Sequence, residues 1–236
     1  MKYRGIAHRG YPVKYPENTL SSFQAAYDLG FKVLEIDVHL SKDGIPVIMH
    51  DAKLERMTGE QGQIKDYTLN ELKSFRVQGG ETIPTLEETL QLMKGKMTVN
   101  IELKQQGYLY PGMEATVLEL IEKVDMMDQV YVSSFDHYAI GRFRELSKDI
   151  EIGLIISGAT PAVFPYMKEI GAKYLAVEVS FITEEYVQIC KENDITLIAW
   201  TVNSEEQMNR MASYPSVLCT TDELEKFKNF NMSHYE

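Results

Sequence analysis

Five motifs in the first 51 residues set two histidines, an arginine and several carboxylates beside short apolar runs: His8-Arg9-Gly10, Pro16-Glu17-Asn18-Thr19, Glu35-Ile36-Asp37, Asp43-Gly44 and His50-Asp51. The guanidinium of Arg9 is a planar fork of donors that matches a phosphate, and Lys104 adds a point charge. An imidazole with an ordinary pKa near 6.5 can take up or release a proton at neutral pH, so His8 and His50 are candidates for a general base and a general acid. Glu35 and Asp37 are two apart, so on a strand both side chains face the same way. Glu102 follows a similar apolar run and should project from a neighbouring strand at a similar height. One carboxylate pair about 4 Å apart costs about 4 kcal/mol at an effective dielectric near 20. A divalent cation removes that penalty, and all-oxygen ligands favour Mg2+ or Ca2+. The competing reading pairs the same acids with Arg9 and Lys104 in a structural network.

Other residues carry weaker signals. Trp200, the single tryptophan, could pack against an apolar or polyol face of a ligand or belong to the core. Asn18 should orient a neighbour or touch ligand, and Glu17 should do either or cap the helix that follows. His39, His137 and His234 lack charged company and read as surface residues.

These groups need a scaffold that brings distant segments together. Short β-branched runs at 4–8, 33–38, 97–103, 130–133, 152–156, 174–177, 196–200 and 217–219 alternate with helical patterns, the signature of parallel βαβ units. In the first helix Leu20, Phe23, Ala26 and Tyr27 share a face, and Gly30 is its stop. Pro84 marks the start of a later helix. Setting aside a short extended piece at 45–49, there are eight strand–helix pairs, which predict a closed (β/α)8 TIM barrel. An open doubly wound sheet is disfavoured, because no Gly-x-Gly-x-x-Gly turn follows the first strand. Residues 51–80 are polar and break the alternation, so they read as a small insertion after the second strand within one domain spanning 1–236. His8, Arg9, Glu35, Asp37, Glu102, Lys104, Ser133, Ser134, Glu178, Trp200, Thr220 and Thr221 all fall at the C-terminal ends of the predicted strands. That rim is where such a barrel carries its reactive groups.

Whole-chain properties bound the partners. A formal charge of -11 repels nucleic acid and anionic membranes, so a small anionic substrate would need local positive charge. Cys190 and Cys219 match no metal spacing and read as buried thiols in a reducing compartment. The N-terminus has no apolar stretch before the first motif, and no run approaches 18 apolar residues. The expected setting is cytoplasmic, with no membrane span.

Taken in order, Ala7-His8-Arg9-Gly10, Pro16-Glu17-Asn18-Thr19, Glu35-Ile36-Asp37-Val38, Asp43-Gly44 with Pro46-Val47, and His50-Asp51 resemble the glycerophosphodiester phosphodiesterase family. Glu102-Leu103-Lys104, Ala199-Trp200-Thr201-Val202-Asn203 and Thr221-Asp222 extend the likeness across nearly the whole chain. One departure is Tyr214-Pro215-Ser216-Val217-Leu218-Cys219, where members often show a Gly-Val-Asp-Gly-Ile-like strand. The resemblance implies a TIM barrel with a small insertion and hydrolysis of a glycerophosphodiester to glycerol 3-phosphate and an alcohol. It implies His8 and His50 as the acid–base pair, and Glu35, Asp37 and Glu102 as ligands of a divalent metal. Arg9 and Lys104 would hold the phosphate, and Trp200 the glycerol or head group. Two alternatives stay open: a lyase that stops at a cyclic phosphate, and a protein that binds a phosphodiester without turnover.

Overall fold

The run Val33-Leu34-Glu35-Ile36-Asp37-Val38 explains how this chain divides inside from outside. Leu34, Ile36 and Val38 are fully buried against surrounding helices, while the alternate positions turn into the barrel. A computed structural model describes residues 4–235, with side chains through residue 230. Its strands are β1 (Gly5–His8), β2 (Val33–Leu40), β3 (Pro46–Ile48), β4 (Thr98–Leu103), β5 (Val130–Ser134), β6 (Glu151–Ile156), β7 (Tyr174–Glu178), β8 (Thr196–Trp200) and β9 (Leu218–Thr221). Eight of them pair in parallel in the order β1-β9-β8-β7-β6-β5-β4-β2, and β1 pairs with β2 to close the barrel. The predicted TIM barrel is therefore the observed one. The exception is β3, which runs antiparallel against the far end of β2, with His39 opposite Val47.

The barrel helices are α1 (Leu20–Asp28), α4 (Leu86–Met93), α5 (Met113–Val124), α6 (His137–Leu146), α7 (Val163–Ile170), α8 (Glu184–Glu192), α9 (Glu205–Ala212) and α10 (Leu224–Tyr235). Residues 51–80 contribute α2 (Glu55–Thr58), α3 (Leu69–Ser74) and a 3-10 turn, Ile64–Asp66. Local chemistry sets many of the helix starts. Thr19, Thr68, Thr85, Asp136, Thr183 and Ser204 each accept a backbone N–H of the first turn on a side-chain oxygen. At α4, Thr85 and Glu88 form a reciprocal capping box, so Pro84 precedes the cap rather than opening the helix. At α1 the cap is Thr19, not Glu17, and Gly30, at φ +93, follows the helix end. The last helix runs from Leu224 to Tyr235.

Most of the apolar surface is buried between strands and helices. The barrel interior is filled by Ile6, Tyr131 and Ile198, with Tyr174 stacked on Tyr131 at a centroid separation of 4.1 Å. A third cluster joins Val47 and Met49 to Leu54, Met57, Ile64, Leu72, Val77 and Ile83. The insertion thus rests on the β3 segment and covers the mouth beside β2.

The turn after β1 is the tightest constraint near the mouth. Arg9 has φ +56 and Gly10 φ +88, both in the left-handed region. A β-carbon at Gly10 would lie 2.8 Å from the backbone carbonyl carbon of Ser22 in α1. Close approach and backbone conformation both require glycine here. Gly10→Ala is expected to lose about 2 kcal/mol of stability or more. Urea unfolding checks this, and a midpoint equal to that of the parent protein would remove the argument for a forced turn.

Candidate active site

Strand register places the reactive groups. Across β1, β2 and β4, His8 is level with Glu35, and Asp37 is level with Glu102. Glu35, Asp37 and Glu102 are all buried, and each offers an oxygen within 4.8 Å of the others. Lys104 bridges two of them, with Nζ 2.8 Å from Asp37 Oδ1 and 2.5 Å from Glu102 Oε1. The Nε of Arg9 lies 3.2 Å from Asp37 Oδ2, and Asn18 Nδ2 donates to the same oxygen at 2.8 Å. The backbone N–H of Arg9 is shared between Glu35 O at 3.0 Å and Glu35 Oε2 at 3.2 Å. The acids do pair with Arg9 and Lys104, as the structural-network reading expects. That network is incomplete, because Glu35 Oε1 is buried without a hydrogen-bond partner. Three carboxylates of all-oxygen character, one with an orphaned oxygen, make a donor set suited to a hard divalent cation.

The charges of the cluster are unequal. Burial, helped by Asp37 and Glu102, pushes Glu35 well above the usual carboxylate range despite Arg9 and Lys104. Burial also raises Glu102, with Lys104 opposing and Asp37 adding to the rise. At Asp37 burial acts in the same upward sense, but Lys104 and Arg9 outweigh it and hold the group below its ordinary value. Of the three acids, Asp37 is the one whose charge its surroundings favour, and Glu35 the one whose charge they oppose most strongly.

Each candidate histidine is held through one nitrogen. His8 Nδ1 donates to Asp222 Oδ1 at 2.7 Å, and Asn203 Nδ2 donates to the other oxygen of Asp222 at 2.6 Å. His8 Nε2 is left facing the cluster, 3.9 Å from Glu35 Oε2. His50 Nδ1 donates to Asp51 Oδ1 at 2.7 Å, so its Nε2 is likewise the nitrogen outside that bond. Burial lowers the pKa of His50, with Asp37 opposing. Asp51 is bound by Arg56 Nε at 2.5 Å, Arg56 reaches Glu17 at 2.7 Å, and Glu17 meets Arg9 at 3.2 Å. Hydrogen bonds from Arg56 and His50 hold Asp51 down at about 2. This ionic chain pins Arg56 of the insertion to the turn after β1. Trp200 is half-buried at the end of β8, edge-on to the exposed ring of Phe135 with centroids 5.6 Å apart.

Known proteins resemble this chain along most of its length. A family model described as the glycerophosphoryl diester phosphodiesterase family matches residues 8–226. The chain belongs to that family. It is 36% identical over 219 residues to a glycerophosphodiester phosphodiesterase of Caldanaerobacter subterraneus subsp. tengcongensis, covering 89% of this chain and 90% of that one. It is 38% identical over 217 residues to another of Bacillus altitudinis, covering 87% and 89%. Among solved structures, an Oleispira antarctica phosphodiesterase in complex with the product sn-glycerol-3-phosphate is 31% identical, with a TM-score of 0.89 and 96% of each chain covered. The glycerophosphodiester phosphodiesterase of Thermotoga maritima is 28% identical, with a TM-score of 0.80 and coverage of 96% and 97%. Family membership bears out the resemblance and the assignment of the chain as a phosphodiesterase.

In this family member, geometry corrects one residue and adds others. His39 is not on the surface: it is buried at 3% exposure, and burial takes its pKa down to about 4. The signal was present, because Glu35, Asp37 and His39 share one face of β2 at a spacing of two. His137 is half-buried and donates from Nε2 to Ile155 O at 3.0 Å, whereas the side chain of His234 lies outside the described residues. Asp222, Asp51, Asn203 and Arg56 were not singled out beforehand as partners of the histidines. Asp51 and Asp222 sat inside quoted motifs, but their pairing with His50 and His8 depends on side-chain direction.

The orphaned glutamate makes a stability test. A folded pKa above the unfolded value means that Glu35 stabilises the metal-free protein at low pH. That contribution is lost as pH rises from the ordinary carboxylate range through the folded value. Glu35→Gln cannot titrate, so in EDTA its melting temperature should fall less than that of the parent as pH rises above the ordinary carboxylate range. Parallel melting curves over that rise would contradict the assignment.

Proposed function

We propose that this enzyme hydrolyses glycerophosphodiesters to glycerol 3-phosphate and an alcohol, with His8 and His50 as the acid–base pair. Glu35, Asp37 and Glu102 are the residues that would hold a divalent cation, Mg2+ or Ca2+. The observation that carries the reading is the convergence of the three buried carboxylates, with His8 Nε2 3.9 Å from one of them. When bound, the cation would stabilise negative charge on the non-bridging phosphoryl oxygens. With its cluster neutralised in that way, Arg9 and Lys104 keep positive charge for the phosphate, which the acidic chain needs in order to bind an anion. Asn18 holds Asp37 in place through its amide.

One histidine takes the proton of the attacking hydroxyl and the other donates a proton to the leaving alkoxide. Asp222 and Asp51 keep each imidazole in the tautomer with the proton on Nδ1, so Nε2 does the exchange in both cases. The nucleophile in this proposal is the 2-hydroxyl of the substrate's own glycerol. Its attack forms a bond to phosphorus as the bond to the alcohol breaks, giving a cyclic phosphate that water then opens. Trp200 and Phe135 offer an apolar wall to the glycerol or head group. Cys190 and Cys219 stand apart from this chemistry: both are free and buried, and burial pushes both thiols up to about 12. Such inert thiols suit a reducing, cytoplasmic setting. Among the described residues no helix is long and apolar enough to cross a membrane.

A panel of glycerophosphodiesters assayed with and without EDTA tests the reading, with products followed by phosphorus NMR. EDTA should abolish turnover and Mg2+ or Ca2+ should restore it, and glycerol 3-phosphate rather than a cyclic phosphate should accumulate. His8→Ala and His50→Ala should each lower kcat by about 100-fold or more, since one positioned acid or base is worth roughly 100- to 10,000-fold. Full turnover by metal-free protein, or by either histidine variant, would overturn the corresponding assignment.

The route through the 2-hydroxyl has its own test. An intramolecular hydroxyl is held near phosphorus at high effective concentration. A 2-deoxy analogue should bind with similar affinity, because the phosphate provides the grip. It should turn over at least about 100-fold more slowly, roughly 2.7 kcal/mol of barrier. Efficient hydrolysis of the analogue would mean direct attack by water.

A further inference from the structure

We propose that His39 and Tyr110 are positioning residues that set the backbone of His50 and tie it to the loop between β4 and α5. The proposal rests on the reading of His50 as an acid–base group. His39 lies on the face of β2 that carries Glu35 and Asp37, where β2 has left the barrel and pairs with β3. Its Nε2 is 3.0 Å from the backbone carbonyl of His50. A carbonyl only accepts, so Nε2 bears the proton in this bond. The other nitrogen, Nδ1, is 2.8 Å from the hydroxyl of Tyr110, and the two rings meet edge-on at 75°. Tyr110 is itself clamped. The amide of Gln105 donates to Tyr110 O at 2.8 Å and accepts from Tyr110 N at 2.9 Å. His39, Tyr110 and Gln105 are each no more than 4% exposed.

The arrangement has the form of a built support. His50 follows the short β3 strand, and Asp51 constrains only its ring. Its backbone is held one residue earlier by the bond from Met49 N to Asp37 O, 3.1 Å, and at its own carbonyl by His39. Without the Tyr110 hydroxyl, Nδ1 of His39 is left buried and unpaired, and the imidazole is free to turn off the carbonyl. A misplacement of a proton-transfer group by about 1 Å costs roughly 100-fold in rate, so a partial loosening should cost about 10-fold. Phosphate binding relies on Arg9 and Lys104, which this chain of bonds does not touch, so the loss should fall on kcat.

The test is a mutant cycle on the metal-loaded enzyme with one glycerophosphodiester. Tyr110→Phe and His39→Leu should each lower kcat about 10-fold with KM within about twofold. His39→Gln should recover most of the rate, because its amide can donate to the His50 carbonyl and accept from Tyr110. In a His50→Ala background, read under single-turnover conditions, Tyr110→Phe should have no further effect, since the group it positions is gone. Unchanged kcat in Tyr110→Phe, or losses that multiply in the double variant, would overturn the positioning role. Near-normal turnover by His50→Ala would instead overturn the assignment of His50. If His39→Leu fails to fold, the Tyr110→Phe cycle and the His39→Gln rescue decide the matter.

Discussion

Burying three carboxylates in the mouth of a barrel is the constraint on which the rest of this molecule turns. Glu35, Asp37 and Glu102 cannot all be charged in a dry site without compensation. The structure meets the cost unevenly. Lys104, Arg9 and Asn18 converge on Asp37, while Glu35 is left with an unpartnered oxygen and a strongly raised pKa. A site that settled its charges internally would have no such orphan. This one holds Asp37 charged with fixed cations and leaves Glu35, and to a smaller degree Glu102, short, which is the electrostatic description of a place for an added positive charge.

The same demand organises the surroundings. Arg9 reaches Asp37 because its backbone adopts the left-handed turn after β1, and that turn requires Gly10 against α1. Arg9 then shares Glu17 with Arg56 of the insertion, and Arg56 in turn orders Asp51 and His50. The segment 51–80 is therefore more than a cover. It has its own apolar cluster, seated on β3, and it delivers a cation to the ionic chain that steadies one histidine. The other histidine is steadied from the opposite edge by Asp222, at the junction of β9 and α10. Both imidazoles use Nδ1 for support and keep Nε2 for the mouth, although the supporting carboxylates come from unrelated parts of the chain.

Much of this was legible beforehand, for local reasons. Alternation of period two in 33–38 and the repeated strand–helix rhythm depend only on neighbouring residues, so they specify a parallel barrel from the chain alone. The same period puts Glu35 and Asp37 on one face, and the barrel rule puts His8, Lys104, Glu102 and Trp200 at one rim. His39 belonged to that same face and was nonetheless read as exposed. A lone histidine gives no sign that a strand has left the barrel and been covered by a hairpin.

By itself, then, the order of residues determined the fold class, the rim at which polar groups gather and the kind of chemistry they could support. Each of these follows from spacing along a strand and from the chemistry of single side chains. Only the tertiary structure decided which carboxylate holds which histidine, that Lys104 bridges Asp37 and Glu102, and that Glu35 is the acid left over. Those outcomes turn on strand register, on burial and on contacts between residues as far apart as His8 and Asp222. Hydrogen bonds discriminate over fractions of an ångström, and pKa values respond to desolvation, so neither can be read until the chain has closed.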